Sequence, residues 1–147
     1  MISLKAQYAL RALIAMAKAA PDALFSIAEI AEEQRIPKKF LEQILLDLKH
    51  HGLVASRRGK LGGYALLRAP DRITFGEVLR IIDGPLAPLP CVSRIAYRRC
   101  EGCADEGACE IRRVFARVAE ATRAVLDTTT LADATAAAAV SGLAAVS

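Results

Sequence analysis

Pro37 and Gly52 bracket a run in which Leu41, Ile44, Leu45 and Leu48 follow one another at steps of three, one and three. That spacing gathers all four on one side of an α-helix, and no strand could do the same. Proline is preorganised for the first helical position, and glycine suits the position just past the last turn. The run therefore has fixed ends and one buried face. Lys38, Lys39, Glu42, Gln43 and Leu46 are left on or near the outside.

The flanking segments complete a pattern. Residues 3–20 read as a first helix with Leu4, Tyr8, Leu13, Ile14 and Ala17 on one side, ended by Pro21-Asp22. Ser26 and Glu29 form a capping box that opens a second helix on Ile27, Ile30 and Ala31, with a break at residues 34–36. Residues 53–57 and 64–68 are short extended runs joined by the glycine-rich turn Arg58-Gly59-Lys60-Leu61-Gly62-Gly63. Thr74 and Glu77 predict another boxed helix through Val78, Leu79 and Ile82, stopping at Asp83-Gly84-Pro85. Residues 85–108 carry prolines and glycines without a period and read as a long loop. Residues 110–126 return to helix, with Ile111, Val114, Phe115, Val118, Thr122 and Val125 as an apolar stripe, and Thr130 and Asp133 cap a last one.

The expected fold class is mainly α with a small β-hairpin wing. It divides into a winged helix-turn-helix domain (1–84), a cysteine-rich loop (85–108), helices (109–140) and a tail (141–147) expected to be disordered. Hydrophobic residues make up 54% of the chain and Trp is absent, so the core is aliphatic and intrinsic disorder is excluded. Lys5, Gln7, Arg11 and Lys18 interrupt the apolar N-terminus, as in an amphipathic helix rather than a targeting signal. No run approaches the roughly 20 apolar residues of a membrane span. A cytoplasmic protein with no membrane partner is expected.

Charge singles out one segment. Residues 35–68 hold eight basic and two acidic side chains, whereas residues 81–147 hold seven and eight. Helix, turn, helix, hairpin is the order of a winged helix-turn-helix, and the basic segment is its reading helix and wing. Lys38 and Lys39 stand at the positive end of a helix dipole, a poor place for cations unless an anion approaches. A phosphate there meets both lysines and the free backbone N–H groups. Gln43 suits adenine and Glu42 suits cytosine in a major groove. Arg57, Arg58 and Lys60 project from a turn whose glycines allow close approach to phosphates or a minor groove. The competing reading is a solvated basic face on a fold used only for packing or protein contacts, and salt-dependent affinity for double-stranded DNA separates the two. The turn lacks the spacing of a nucleotide-phosphate cradle. No nucleophile–base constellation occurs and there are only two His, so an enzyme with a small-molecule substrate is not expected.

All four cysteines, Cys91, Cys100, Cys103 and Cys109, fall in or at the edge of the long loop, spaced C-x8-C-x2-C-x5-C. Thiolates are soft ligands for zinc or iron–sulfur clusters, and Arg94, Arg98 and Arg99 favour the deprotonated form. A long loop without ladder hydrogen bonds gains from such a cross-link. The spacing does not choose among an iron–sulfur cluster, zinc and a thiol/disulfide switch.

Residues 1–126 resemble the IscR/NsrR/RirA-type family of winged-helix bacterial transcriptional regulators. The resemblance rests on Tyr8-Ala9-Leu10-Arg11-Ala12-Leu13, Ser26-Ile27-Ala28-Glu29-Ile30-Ala31, Ile36-Pro37 with Phe40-Leu41-Glu42-Gln43-Ile44-Leu45, and Gly52-Leu53-Val54-Ala55-Ser56. It continues through Arg58-Gly59, Gly62-Gly63-Tyr64, Gly76-Glu77-Val78 and the cysteine loop before a long helix. It implies a homodimer joined through the long helix and bound to operator DNA, with the residue at Glu42 reading bases and Arg58 entering the minor groove. The candidate DNA-contacting set is Ser26, Lys38, Lys39, Phe40, Glu42, Gln43, Arg57, Arg58, Gly59, Lys60, Gly62, Gly63 and Tyr64. It further implies an iron–sulfur cluster (2Fe-2S or 4Fe-4S) on three loop cysteines, a layout that Cys91, Cys103 and Cys109 fit. Relatives take a fourth ligand from a His three residues past the last Cys or from an acid near the N-terminus. Arg112 and Gln7 stand at those places here, so Cys100 is expected to complete an all-cysteine site, the alternative being a three-cysteine cluster with an open or unusual fourth position. Zinc, or no metal, is the alternative to a cluster.

Overall fold

The computed structural model describes residues 2–140; the tail at 141–147 lies outside the described residues. The elements run α1 (Leu4–Ala17), α2 (Ile27–Gln34), α3 (Lys38–His50), β1 (Val54–Arg57), β2 (Gly63–Leu66), α4 (Phe75–Asp83), α5 (Glu110–Leu126) and α6 (Leu131–Val140). Fold class and element order agree with the sequence reading. Pro37 turns out to be the N-cap of α3 rather than its first residue.

The main core is built on the back of α3. Leu41, Ile44, Leu45 and Leu48 are fully buried and meet Leu13 and Met16 of α1, Ile30 of α2, Val78 of α4 and Leu131 of α6. The buried face of α1 differs from the expected one. It is Ala6, Ala9, Leu13 and Met16, while Leu4 is 56% exposed. Small alanines let α1 lie close to its neighbours, a packing advantage that outweighs the larger side chains. Ser3 caps this helix by accepting from the Ala6 N–H at 3.0 Å.

The Ser26–Glu29 capping box is complete. At Thr74 only half of the expected box forms. Thr74 Oγ1 accepts from the Glu77 N–H, but the Glu77 carboxylate turns to the Arg68 guanidinium at 2.6 and 3.0 Å. A two-pronged ionic partner outcompetes one backbone N–H.

The wing is an antiparallel hairpin with Val54 opposite Leu66 and Arg57 opposite Gly63. Its second strand is tied near the turn to the residue before the N-cap of α2: Phe25 N–H donates to the Tyr64 carbonyl at 2.9 Å, and Tyr64 N–H donates to the Phe25 carbonyl at 2.8 Å. Gly63 makes this possible. Its φ is +151°, and a Cβ there would stand 2.5 Å from the Phe25 carbonyl oxygen.

The long helix α5 is fastened to the winged part at its C-terminal end. Phe75 N–H donates to the Thr129 carbonyl and Leu131 N–H to the Ile73 carbonyl. Arg80 of α4 clamps Asp127 through both guanidinium nitrogens, at 2.6 and 3.0 Å. Gly76 leaves room for that carboxylate, since a Cβ would lie 2.0 Å from Asp127 Oδ1. Residues 85–108 are loop apart from one 3-10 turn, Pro90–Val92, which packs through Cys91 and Val92 against Ala116 and Ala119 as a small second core.

Two outcomes follow. Gly63→Ala should lower stability by about 2 kcal/mol in urea unfolding, because the new Cβ meets backbone as well as an unfavourable φ. Gly52→Ala, at φ +76° with nothing within 4 Å, should lose only about 1 kcal/mol. Secondly, the Arg80 guanidinium holds the Asp127 carboxyl below its usual range, against the opposing effect of burial. The pair's contribution is present above the unfolded value of about 3.9 and is lost as pH falls through the lower folded value. Asp127→Asn should therefore flatten the decline of thermal stability below about pH 4.

Candidate DNA-binding face and cysteine cavity

The outer side of α3 and the wing tip form one basic surface. Lys38, Lys39, Phe40, Glu42 and Gln43 are exposed, as are Arg57, Arg58, Gly59 and Lys60. Among the described residues, Lys38, Lys39, Arg57, Arg58 and Lys60 have no acidic partner. The first turn of α3 contains no acid, and Pro37 offers no side-chain cap, so its leading N–H groups stay open. Other members of the predicted set carry structural duties. Ser26 Oγ caps α2, Gln43 donates to Asp47 at 3.1 Å, and Phe40 packs edge-on against Tyr8 at 5.9 Å between ring centroids. Gly62, Gly63 and Tyr64 are half-buried where the turn enters β2. Asp47 is fixed in turn by Lys5 at 2.8 Å, and this hydrogen bond keeps its carboxyl below the ordinary range.

The cysteines face another way. All four line one cavity of about 480 Å³ between the loop and the first turn of α5, with Leu89, Ala108 and Ile111 as apolar wall. All are free thiols. Cys91 is buried and in contact with Cys100. Burial, then the hydrogen bond with Cys100, push the Cys91 thiol up, and Arg112 opposes them. Cys109 is the N-cap of α5, and its Sγ accepts from the Arg112 N–H at 3.4 Å. Among the described residues no three Cys, His, Asp or Glu side chains converge as ligands of one metal ion; the thiols are distributed around the cavity instead.

The sequence reading treats Arg112 only as the replacement of a ligand. The structure gives it a position of its own: it lines the cysteine cavity, and its Nε–H is buried without a hydrogen-bond partner. Its place three residues after Cys109, in the same helical turn, is the signal that could have indicated this. A donor set of four thiols, with the Arg112 cation on the same cavity wall, fits an anionic sulfur-ligated group.

No helix among the described residues is long and apolar enough to cross a membrane. Residues 2–137 match the model of a protein family described as Rrf2, iron-dependent transcriptional regulator. An rrf2-like HTH-type transcriptional regulator of Rhodobacter capsulatus is 52% identical over 137 residues, 90% of this chain and 91% of that protein. Among solved structures, CymR, the global cysteine regulator of Bacillus subtilis, superposes with a TM-score of 0.77 at 32% identity, covering 92% of this chain and 96% of its own. T. potens IscR gives 0.75 at 29% identity, covering 98% and 92%. These relatives are regulators, not enzymes, and the fold is theirs.

The burial of Cys91 has a direct consequence in the metal-free protein. Iodoacetamide at mildly alkaline pH should modify Cys103 and Cys109 several-fold faster than Cys91, read by mass spectrometry of the peptides. Equal rates for all would contradict the cavity's geometry.

Proposed function

This chain belongs to the Rrf2 family of transcriptional regulators, and from that membership we propose that it acts as a homodimer whose operator binding is governed by an iron–sulfur cluster on Cys91, Cys100, Cys103 and Cys109. The single observation that carries the proposal is the cavity walled by all four thiols, with the unpartnered Arg112 Nε–H beside them. Their spread around the wall suits a cluster, which divides its ligands among several irons, better than one tetrahedral zinc ion. Such a group supplies a redox-active centre that iron loss or oxidation can alter.

The chain's own residues do the rest. Lys38, Lys39 and the open N–H groups of α3 bind phosphate, Glu42 and Gln43 face base edges, and Arg58 at the wing tip enters the minor groove. Ser26 retains a hydroxyl hydrogen to donate to phosphate while its oxygen caps α2. Phe40 and Tyr64 position α3 and the wing, and Gly59, Gly62 and Gly63 bring the backbone near the duplex. The outward stripe of α5 (Ile111, Val114, Phe115, Val118 and Val125, each 38–63% exposed) is the seam between two copies. Cys109 opens that same helix, so sulfur ligation and subunit geometry share one element. The spacing of the two reading helices then decides whether both half-sites are engaged.

A second reading, reversible thiol oxidation without iron, draws on the Cys91–Cys100 contact. Protein purified without oxygen distinguishes them. The cluster reading requires a coloured protein with iron and sulfide, whose affinity for operator DNA changes when the cluster is removed. Colourless protein whose thiols oxidise in pairs would support the second. Cys109→Ala should abolish the cluster and keep the fold. Cys100→Ala should destabilise the cluster; an unchanged spectrum and stability would remove Cys100 from the ligand set. Arg58→Ala should leave the cluster intact, weaken operator binding by about 1–3 kcal/mol and lower the salt slope by about one.

A further inference from the structure

A second cavity, of about 290 Å³, lies between α4, the loop and α5, and no cysteine lines it. Arg80, Arg94 and Arg123 line it together with Asp127, and Leu86, Ala87, Ile95 and Ala119 supply an apolar wall. The charges do not cancel. Arg80 and Asp127 neutralise each other through their two-pronged pair. Arg94 and Arg123 share a single oxygen of Glu120, at 3.0 and 2.8 Å, so two cations lean on one carboxylate. One positive charge is left over.

Arg123 also has an unmet hydrogen bond. Its side chain is only 19% exposed, and its Nε–H is buried with no partner. That N–H is shut off from solvent, so a molecule in the cavity meets the guanidinium's terminal nitrogens, where a carboxylate completes the neutralisation that one shared Glu120 oxygen leaves partial. A cation-rich lining on one side and an aliphatic wall on the other suit an amphipathic anion. The surplus of one charge matches a monoanion, and a fully hydrated dianion such as phosphate would have to shed water against Leu86, Ala87 and Ala119. The volume is at the small end for ligand sites.

We propose that this cavity binds a small aliphatic carboxylate, whose carboxylate accepts from Arg123 and Arg94 and whose chain lies on Ala87 and Ala119. It is an effector site independent of the cysteine chemistry. α4 belongs to the DNA-reading part and α5 carries the apolar stripe, and the ligand joins the two through the loop at residues 85–108. Occupancy therefore adds a second input to the geometry that sulfur chemistry governs.

The test uses the full chain in low-chloride buffer, titrated with propionate, butyrate and hexanoate, and with butyramide and inorganic phosphate for comparison. Binding is followed by calorimetry and ligand-observed NMR. At least one of the acids should bind saturably and raise thermal stability, while butyramide should not. Arg123→Gln should weaken that acid about tenfold or more, the loss expected for a charged hydrogen bond. Arg123→Lys, which keeps charge and loses the Nε–H, should fall between. Should Arg123→Gln lose its helical circular dichroism, Arg94→Gln takes its place, with a smaller loss expected. Absence of saturable acid binding, equal affinity in the Arg94 and Arg123 variants, or equal binding of butyramide or phosphate would each overturn the proposal.

Discussion

The exposed basic face exists because α3 is held by its back. Four aliphatic side chains at helical spacing are removed from water, each worth roughly 1.5–3 kcal/mol. This leaves the opposite side of the helix free of structural obligation, so it can concentrate lysines that a helix N-terminus would otherwise disfavour. The orientation of α3 also fixes the wing. The Phe25–Tyr64 backbone bridge joins the residue before the N-cap of α2 to β2, so the segment before α2 and the hairpin are tied together. Gly63 is the point where this tie depends on a missing side chain.

From that body two routes lead to α5, and they differ in kind. The C-terminal route is tight, with a Thr74–Thr130 bridge, backbone hydrogen bonds on either side of it and the Arg80–Asp127 clamp seated over Gly76. The N-terminal route is long and loosely built. It passes through residues 85–108, which meet α5 through a few small side chains, the exposed Arg94–Glu120 ion pair and the cysteine cavity. A perturbation at the cysteines therefore acts on the less constrained end of α5 while the other end stays fixed, and a small chemical change there has leverage on the helix direction.

Much of this was legible in the chain. The bounds of α5 agree with the expected 110–126, because Cys109 caps a strongly periodic run that Asp127 closes. The Ser26–Glu29 box and the buried positions of α3 also needed only local information. What the sequence reading missed depends on partners distant along the chain. Glu77 was expected to cap its own helix and instead meets Arg68. The side of α1 that is buried was decided by close packing of alanines, which carry little weight in a hydrophobic pattern. Arg112 and Arg123 look like ordinary charges on a long helix; their buried, unpartnered Nε groups emerge only when the loop folds over them. The shared cavity of the four cysteines is intermediate: the spacing announced a cluster of thiols, but not that Arg112 would join them.

The two unpartnered guanidinium N–H groups lie on the same helix, and each lines a cavity closed by the same loop. That recurrence has a physical reading. A loop packed through only a few small side chains gains little from its own burial, whereas every buried polar group it leaves unmatched counts against the closed arrangement. Negative charge on the sulfurs would offset the Arg112 cation on the same cavity wall. At Cys109 the same charge also sits at the positive end of α5, where the helix dipole favours it. The far end of that helix is held to α4 by the Arg80–Asp127 clamp, so the two ends of α5 answer to different parts of the chain.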